Sequence, residues 1–209
     1  MAIKLNGYSN FIFDFDGVIV DSVNIKTEAF AQLYSEFGER VVKKVISHHL
    51  SHGGVDRFSK IRYYHQEFLK KELSRRQLQI LARRFSNLVF KKILKANFIG
   101  GALEFLNLLK KQNKRMFLIS ATPEDELKRI IVKRKLSKFF TDLKGAPSRK
   151  KENLNFIIKK YKLKPEDCVY FGDSQEDLNA ANCFGPIFIP INFYKRNFGY
   201  KDFTNFINT

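Results

Sequence analysis

Apolar residues along this chain fall into short runs that alternate with longer amphipathic stretches. The runs typical of buried strands lie at Asn10 to Phe15, Met116 to Ile119, Phe139 to Leu143, Cys168 to Phe171 and Pro186 to Ile191. From residue 96 onward, helical periodicity fills the gaps between these runs. Strands that alternate with helices predict an α/β fold built on a doubly wound parallel sheet.

The stretch after the first strand differs because helical periodicity dominates it. Helical patterns cover residues 22–37, 39–49, 56–71 and 74–95. A connection of ~80 residues is far longer than an ordinary crossover between strands. We therefore expect an all-helical cap domain over residues 18–95, inserted into a core domain formed by residues 1–17 and 96–209.

Composition indicates a globular protein. Of the 209 residues, 44% are hydrophobic, and no apolar run approaches the ~20 residues that span a bilayer. The start of the chain lacks a signal-peptide pattern. Cys168 and Cys183 are too few for a disulfide framework, which favours a reducing cytoplasm.

The formal charge of +17 is the one unusual global property. Basic pairs recur every eight residues in the last helical pattern of the cap, at Arg75-Arg76, Arg83-Arg84 and Lys91-Lys92. On one helix they form a basic stripe, which a nucleic acid could bind. No nucleic-acid-binding motif accompanies the stripe, so a solvated helix face is the preferred interpretation.

The most informative stretch is residues 11–22, which includes the carboxyl end of the first strand. Asp14 and Asp16 stand two residues apart, so they share a face at the carboxyl end of a buried strand, and Gly17 permits a sharp turn. Ligands of open α/β sheets bind at that edge. Two carboxylates there repel each other unless a cation joins them, and Mg²⁺ prefers oxygen ligands. A pair of turn-capping acids is the alternative.

Three further polar groups follow later segments of the chain: Ser120-Ala121-Thr122, the cluster Arg149-Lys150-Lys151, and Gly172-Asp173-Ser174-Gln175-Glu176-Asp177. Together with the first pair they supply a nucleophile, a proton carrier, phosphate-binding donors, a cation and metal-binding acids. Phosphoryl transfer needs each of these.

In this order the chain resembles the haloacid dehalogenase superfamily, in the helical-cap branch that includes phosphoglycolate phosphatase and β-phosphoglucomutase. The resemblance covers nearly the whole chain, and its most specific parts are residues 14–22 and 172–177. It implies a Rossmann-like core, Mg²⁺ and a phosphoaspartyl intermediate. Asp14 would be the nucleophile and Asp16 the general acid and base. Because the dehalogenases of this superfamily lack the second acid, the pair favours phosphate chemistry.

The resemblance also implies roles for the later motifs. Ser120 and the Ala121 amide would bind the phosphoryl group, although Ser120 could instead be a local cap beside Thr122. Lys150 would neutralise charge, with Lys151 or Arg149 as alternatives. The implied metal ligands are the four acids Asp14, Asp16, Asp173 and Asp177. Asp177 also fits a capping box with Ser174, and could bind Lys150 in place of the metal.

A glycine-containing loop of the cap, Gly53-Gly54-Val55-Asp56-Arg57, resembles the substrate loop of capped sugar-phosphate enzymes. Arg57 or His52 would then contact the distal part of the substrate, unless the segment only connects two helices. His48 and His52 have the spacing of zinc ligands on a helix, but without a supporting acid or cysteine we do not expect zinc there.

The sequence therefore predicts a cytoplasmic, Mg²⁺-dependent phosphatase for a small phosphorylated metabolite. A phosphomutase of the β-phosphoglucomutase kind is the first alternative. A protein that binds nucleic acid, or processes its ends, through the basic cap is the second. The identity of the substrate and the oligomeric state are not encoded in any pattern of the chain.

Overall fold

A computed structural model describes residues 5–192 and 200–207. Its centre is a five-stranded, all-parallel sheet with the strand order β3-β2-β1-β4-β5. The strands are β1 (Asn10–Phe13), β2 (Arg115–Pro123), β3 (Asp142–Ala146), β4 (Cys168–Gly172) and β5 (Ile187–Pro190). The predicted α/β fold class is confirmed. The third strand lies three residues later than predicted, at each end.

Four helices fill the long connection between β1 and β2. They are α1 (Val23–Leu33), α2 (Glu39–Ser51), α3 (Arg57–Tyr63) and α4 (Arg75–Lys95). A 3₁₀ turn (Ser35–Phe37) follows α1, and a π-helical turn (Tyr64–Phe68) follows α3. The helix predicted over residues 22–37 therefore ends early, at Leu33. Helix α4 begins where predicted because Ser74 and Gln77 form a reciprocal capping box.

The remaining helices flank the sheet. They are α5 (Ala102–Lys111), α6 (Glu124–Lys133), α7 (Lys150–Tyr161), α8 (Gln175–Phe184) and the short α9 (Thr204–Ile207), with a 3₁₀ turn at Pro165–Asp167. Alternate residues of β1 face opposite sides. Phe11 and Phe13 join an aromatic cluster with Phe171, and Ile12 packs in a second cluster with residues of α7 and α8.

The residues Thr122-Pro123-Glu124-Asp125 have the pattern of a capping box with proline at the first helical position, but Thr122 does not cap α6. Strand β2 continues through Pro123, which occupies the cap position of α6 and has no side-chain acceptor to offer. The Thr122 hydroxyl instead donates a hydrogen bond to Asp16 Oδ2 at 3.1 Å. An extended backbone before proline is the ordinary preference, and here it outweighs the capping pattern.

The chain leaves β1 and returns to the sheet along adjacent segments. The Asp21 amide donates to the Asn97 carbonyl, and the Ile99 amide donates to the Ile19 carbonyl. Arg134, just after α6, fixes the end of α4 by donating to three backbone carbonyls, those of Ile93, Leu94 and Ala96. Helices α1–α4 thus join the core through two neighbouring connections, an arrangement compatible with the insertion expected at residues 18–95.

Candidate active site

The parallel register brings the predicted motifs to one edge of the sheet. Phe13 at the end of β1 lies opposite Leu118 of β2 and Phe171 of β4. The residues that follow these positions therefore emerge together at the carboxyl edge. Asp14 is the first of them, and its amide still donates to the Phe171 carbonyl, so the strand geometry directs its side chain.

Asp14 is 3% exposed, and Lys150 at the start of α7 is its cationic partner. Lys150 Nζ donates to Asp14 Oδ2 at 2.7 Å, whereas Arg149 and Lys151 are exposed. Burial raises the pKa of Asp14, which Lys150 only partly offsets. Burial also opposes the charge on Lys150, but its carboxylate neighbours raise its pKa, so it stays a cation.

Asp177 positions Lys150. One of its oxygens accepts from Lys150 Nζ at 2.7 Å and from the Tyr170 hydroxyl at 2.8 Å. The other oxygen accepts from the amide and the hydroxyl of Ser174, which completes a capping box at the start of α8. The Asp177 side chain therefore caps α8 with one oxygen and binds Lys150 with the other.

Three carboxylates converge as a candidate metal site. Asp14, Asp173 and Asp177 each offer an oxygen within 4.8 Å of the others. Burial and the neighbouring Asp14 and Asp177 hold the pKa of Asp173 well above its usual value. An all-oxygen set whose members repel each other is suited to a hard divalent cation such as Mg²⁺. Gly17 makes the approach possible, since a Cβ there would lie 2.2 Å from Asp173 Oδ2.

Asp16 lies outside that carboxylate group and is held by hydroxyls and a lysine. Ser22 and Thr122 donate to it at 2.6 and 3.1 Å, and Ser120 at 3.3 Å. Lys26 of α1 forms an ion pair with it at 2.5 Å. Burial opposes ionisation, but the Lys26 ammonium and these donors hold the pKa of Asp16 below its usual value.

The sequence motifs do not identify Lys26 as a site residue. Its position could have done so, because it lies on the inward-facing stripe of α1, one turn after Ser22 and one turn before Phe30. A lysine on an apolar face needs a partner, and here the partner comes from the core. Ser120 is buried, and its Oγ accepts from the Thr122 amide at 3.0 Å, which is the local cap foreseen as the alternative to phosphate binding.

A pocket of about 200 Å³ joins these groups to the cap. The core side contributes Asp14, Asp16, Ala121, Lys150 and Asp173. The cap side is formed by residues of α1, α2, α3, α4 and the glycine loop: Val23, Lys26, Phe30, His49, Leu50, Ser51, Gly53, Gly54, Val55, Arg57, Lys60 and Phe85.

The glycine loop, which resembles a substrate loop in sequence, lies at the pocket. Gly53 and Gly54 line the pocket and lie against Ser174 of the core. Gly54 has a φ of +82°, and a Cβ on it would lie 2.5 Å from Ser174 Oγ. The absence of side chains therefore allows this loop to lie directly against the carboxyl edge of the sheet.

The two residues predicted to bind substrate from the cap are placed differently. Arg57 lines the pocket, but its guanidinium is committed to Glu126 of α6 by two hydrogen bonds of 2.7 and 2.9 Å, and also to Ser86. His52 is exposed and stacks on His48 with ring centroids 3.9 Å apart. The structure does not bring His52 into the pocket, where His49 and Lys60 lie in its place.

The basic pairs of α4 are all exposed, which both the solvated-face and the nucleic-acid interpretations require. Lys92 forms an ion pair with Glu28 of α1 at 3.1 Å. Within residues 5–192 and 200–207, no helix combines the length and the apolar character needed to cross a bilayer.

Comparison with known proteins identifies the family. The family model described as haloacid dehalogenase-like hydrolase matches residues 11–189, from the first strand to the last. The chain belongs to the haloacid dehalogenase-like hydrolase family. The resemblance drawn from the motifs is confirmed, and so is the prediction that the protein is an enzyme.

Similar members of this hydrolase family include phosphoglycolate phosphatases. The enzyme of Pseudomonas savastanoi pv. phaseolicola is 25% identical over 207 residues, covering 87% of this chain and 68% of that protein. Phosphoglycolate phosphatase 1 of Pseudomonas aeruginosa is 24% identical over 196 residues, covering 83% of this chain and 65% of that protein.

Solved structures of other proteins share the fold. The β-phosphoglucomutase of Clostridium difficile gives a TM-score of 0.74 at 20% identity, covering 88% of this chain and 84% of that one. A predicted phosphoglycolate phosphatase from Haemophilus somnus gives 0.70 at 18% identity, covering 94% and 88%. At these identities the likeness establishes the fold alone.

Proposed function

We propose that this protein is a Mg²⁺-dependent phosphatase that hydrolyses a small phosphorylated metabolite through a phosphoaspartyl intermediate on Asp14. The observation that carries the proposal is the arrangement at the end of β1. A buried carboxylate that contacts a buried lysine lies two residues before a second acid, which hydroxyls and Lys26 hold. Both acids line one pocket.

The arrangement supports a two-step reaction. In the first step an Asp14 oxygen bonds to phosphorus while the bond from phosphorus to the ester oxygen breaks, and Asp16 gives its proton to that oxygen. In the second step Asp16 takes a proton from water as the water oxygen bonds to phosphorus. The bond to Asp14 then breaks and inorganic phosphate leaves.

Positive charge around Asp14 is needed because its attack brings two anions together. Lys150, held by Asp177, supplies a fixed ammonium at the attacking carboxylate. Mg²⁺, held by Asp14 and Asp173, would supply further positive charge to the phosphoryl oxygens. Asp177 already accepts four hydrogen bonds, so its main part would be to position Lys150. A metal-ligand role for Asp16 stays a prediction.

The phosphatases among the similar proteins act, by their names, on phosphoglycolate, and a small phosphorylated acid is the substrate class that we propose here. Closure of residues 18–95 as a cap over the core would exclude water other than the attacking molecule. Cys168 and Cys183 are both unpaired, which is compatible with the cytoplasmic location that we propose.

A β-phosphoglucomutase-like activity is the second candidate. It is favoured by one observation, the contact of the Gly53-Gly54 loop with Ser174 beside the site. Conversion of one hexose phosphate isomer into another would identify it, whereas release of inorganic phosphate alone would count against it.

The test is phosphate release from phosphoglycolate, sugar phosphates, nucleotides and 5′- or 3′-phosphorylated oligonucleotides, with Mg²⁺ and with EDTA. Asp14→Asn should abolish turnover, because the amide is a far weaker nucleophile. Asp21→Asn is the matched control, since Asp21 lies exposed in the same segment. Turnover that survives Asp14→Asn would refute the mechanism. Best activity on oligonucleotides would instead favour the nucleic-acid alternative and a role for the basic α4 stripe.

A further inference from the structure

Lys60 is a buried cation in the pocket wall for which the proposed reaction gives no role. It lies on α3, is 3% exposed and lines the pocket. Its Nζ lies 2.9 Å from His49 Nδ1 and 3.5 Å from the His49 carbonyl oxygen. His49 is itself buried, and burial together with the neighbouring Lys60 lowers its pKa to about 2, so it is a neutral acceptor.

The other cations of the pocket all have carboxylate partners. Lys26 pairs with Asp16, Lys150 with Asp14 and Arg57 with Glu126. Among residues 5–192 and 200–207, Lys60 forms no ion pair with any carboxylate. An ammonium carries three donors, and a buried charge without a counter-ion is costly. Because Lys60 lines the pocket, an anion that enters with the substrate could serve as its counter-ion.

The surroundings of Lys60 narrow the class of that substrate. The pocket wall exposes mainly apolar surface, to which Val23, Phe30, Val55 and Phe85 contribute. Beside its charged groups and His49, it offers the polar side chains of Ser51, Ser174 and Gln175, which are few for the hydroxyls of a sugar. A single ammonium beside a neutral imidazole balances one negative charge, which matches a carboxylate better than a second phosphate dianion.

We propose that Lys60 binds the carboxylate of a phosphorylated hydroxy acid such as 2-phosphoglycolate, and that it determines the specificity of this site for such acids. The inference rests on the proposed phosphatase function and adds to it the residue that recognises the leaving group. Burial lowers the pKa of Lys60 to about 7, against a smaller opposing effect of Asp173 and Asp56, and an incoming carboxylate would favour its protonated form.

The kinetic test compares two esters in the same protein. Lys60→Met should lower kcat/KM for 2-phosphoglycolate at least about 30-fold, and change kcat/KM for ethyl phosphate less than about threefold. Activity on ethyl phosphate shows that the variant is folded. Lys91→Met, at an exposed position of α4, is the control and should change neither value. Equal losses on both esters, or a wild-type preference for hexose phosphates, would overturn the inference.

Calorimetry with unreactive phosphonates separates this inference from the proposed function. Wild-type protein should bind 3-phosphonopropionate more tightly than both propylphosphonate and propane-1,3-diphosphonate, and Lys60→Met should remove the preference over propylphosphonate. If that pattern holds while no ester is hydrolysed, the phosphatase proposal fails and the role of Lys60 stands. If the diphosphonate binds best, or if the substitution weakens all three ligands equally, the carboxylate assignment is refuted.

Discussion

Lys60 should destabilise the empty protein at neutral pH, and replacing it should reveal the cost. Burial, with the nearby Lys26 adding to it, lowers the pKa of this amine from its ordinary 10.5 to about 7. At about 1.4 kcal/mol for each tenfold change in proton affinity, the protonated form costs about 5 kcal/mol. Lys60→Met removes that cost and also the hydrogen bond to His49, which contributes about 1 kcal/mol. We therefore expect the free energy of unfolding to rise by roughly 4 kcal/mol at pH 6.

The pH dependence of this gain in stability distinguishes an effect of the Lys60 charge from an effect of side-chain packing. The unfolded chain keeps its lysine protonated up to about pH 10.5, whereas the folded protein releases the proton near pH 7. The penalty is therefore full below pH 7 and fades as the pH rises towards 10.5. The gain from Lys60→Met should accordingly be largest at pH 6 and close to zero at pH 9.5.

Urea unfolding followed by circular dichroism, in phosphate-free buffer, measures both values. Lys91→Met serves as the control, because an exposed lysine should change stability by less than about 0.5 kcal/mol. A gain that is the same at both pH values would mean that the methionine side chain stabilises by packing alone. A loss of stability at pH 6 would show that Lys60 has a counter-ion in the empty protein, and would refute the reasoning.

Three other predictions concern stability. Glu126→Gln leaves the Arg57 guanidinium buried without its carboxylate and should lower the free energy of unfolding in urea by about 3 kcal/mol. The double variant Arg57→Met/Glu126→Leu should recover most of that loss, and no recovery would mean that lost packing is the cause. Arg134→Met removes the donors to three carbonyls at the end of α4 and should cost about 2 kcal/mol, against almost nothing for the exposed Lys133→Met. Mg²⁺ should raise the Tm of the wild type and not that of Asp173→Asn, and an equal Mg²⁺ effect on both proteins would place the ion elsewhere. Without metal, Asp173→Asn should be more stable than the wild type, because the substitution relieves repulsion among the clustered carboxylates.

The core of the site could be predicted because it depends on local rules. Asp14 and Asp16 follow a buried apolar run, and a parallel sheet brings the carboxyl ends of its strands to one edge. Lys150 is one of three basic candidates with Arg149 and Lys151. The start of α7 buries only Lys150 and leaves the other two exposed, which the sequence pattern alone does not reveal.

The cap side of the pocket depends on how helices pack, and single-residue patterns describe it poorly. His52 was preferred because it adjoins the glycine loop, but His49 is the residue that faces inward. His49 continues the stripe of Val41 and Val45 at a spacing of four, a signal that was present in the sequence. Glu126 gave no such signal, since its role comes from contact with Arg57, which is 69 residues away along the chain.

The ion pair between Lys26 and Asp16 gives helix α1 an influence on the residue that we propose as the general acid and base. With Lys26 in place, the pKa of Asp16 lies below its usual value, so Asp16 is ionised in the empty closed site, which is the form that a general base needs. The first step needs the protonated form. A phosphate dianion that enters beside Asp16 raises the pKa of that carboxyl, and it also competes for the Lys26 ammonium. In the proposed reaction, substrate binding would therefore prepare Asp16 as an acid, and once it has given its proton to the ester oxygen it would be the carboxylate that the second step needs as a base. Lys26→Met should remove part of this control and shift the pH profile of kcat/KM for ethyl phosphate, whereas a variant that loses only packing would lose rate equally at every pH.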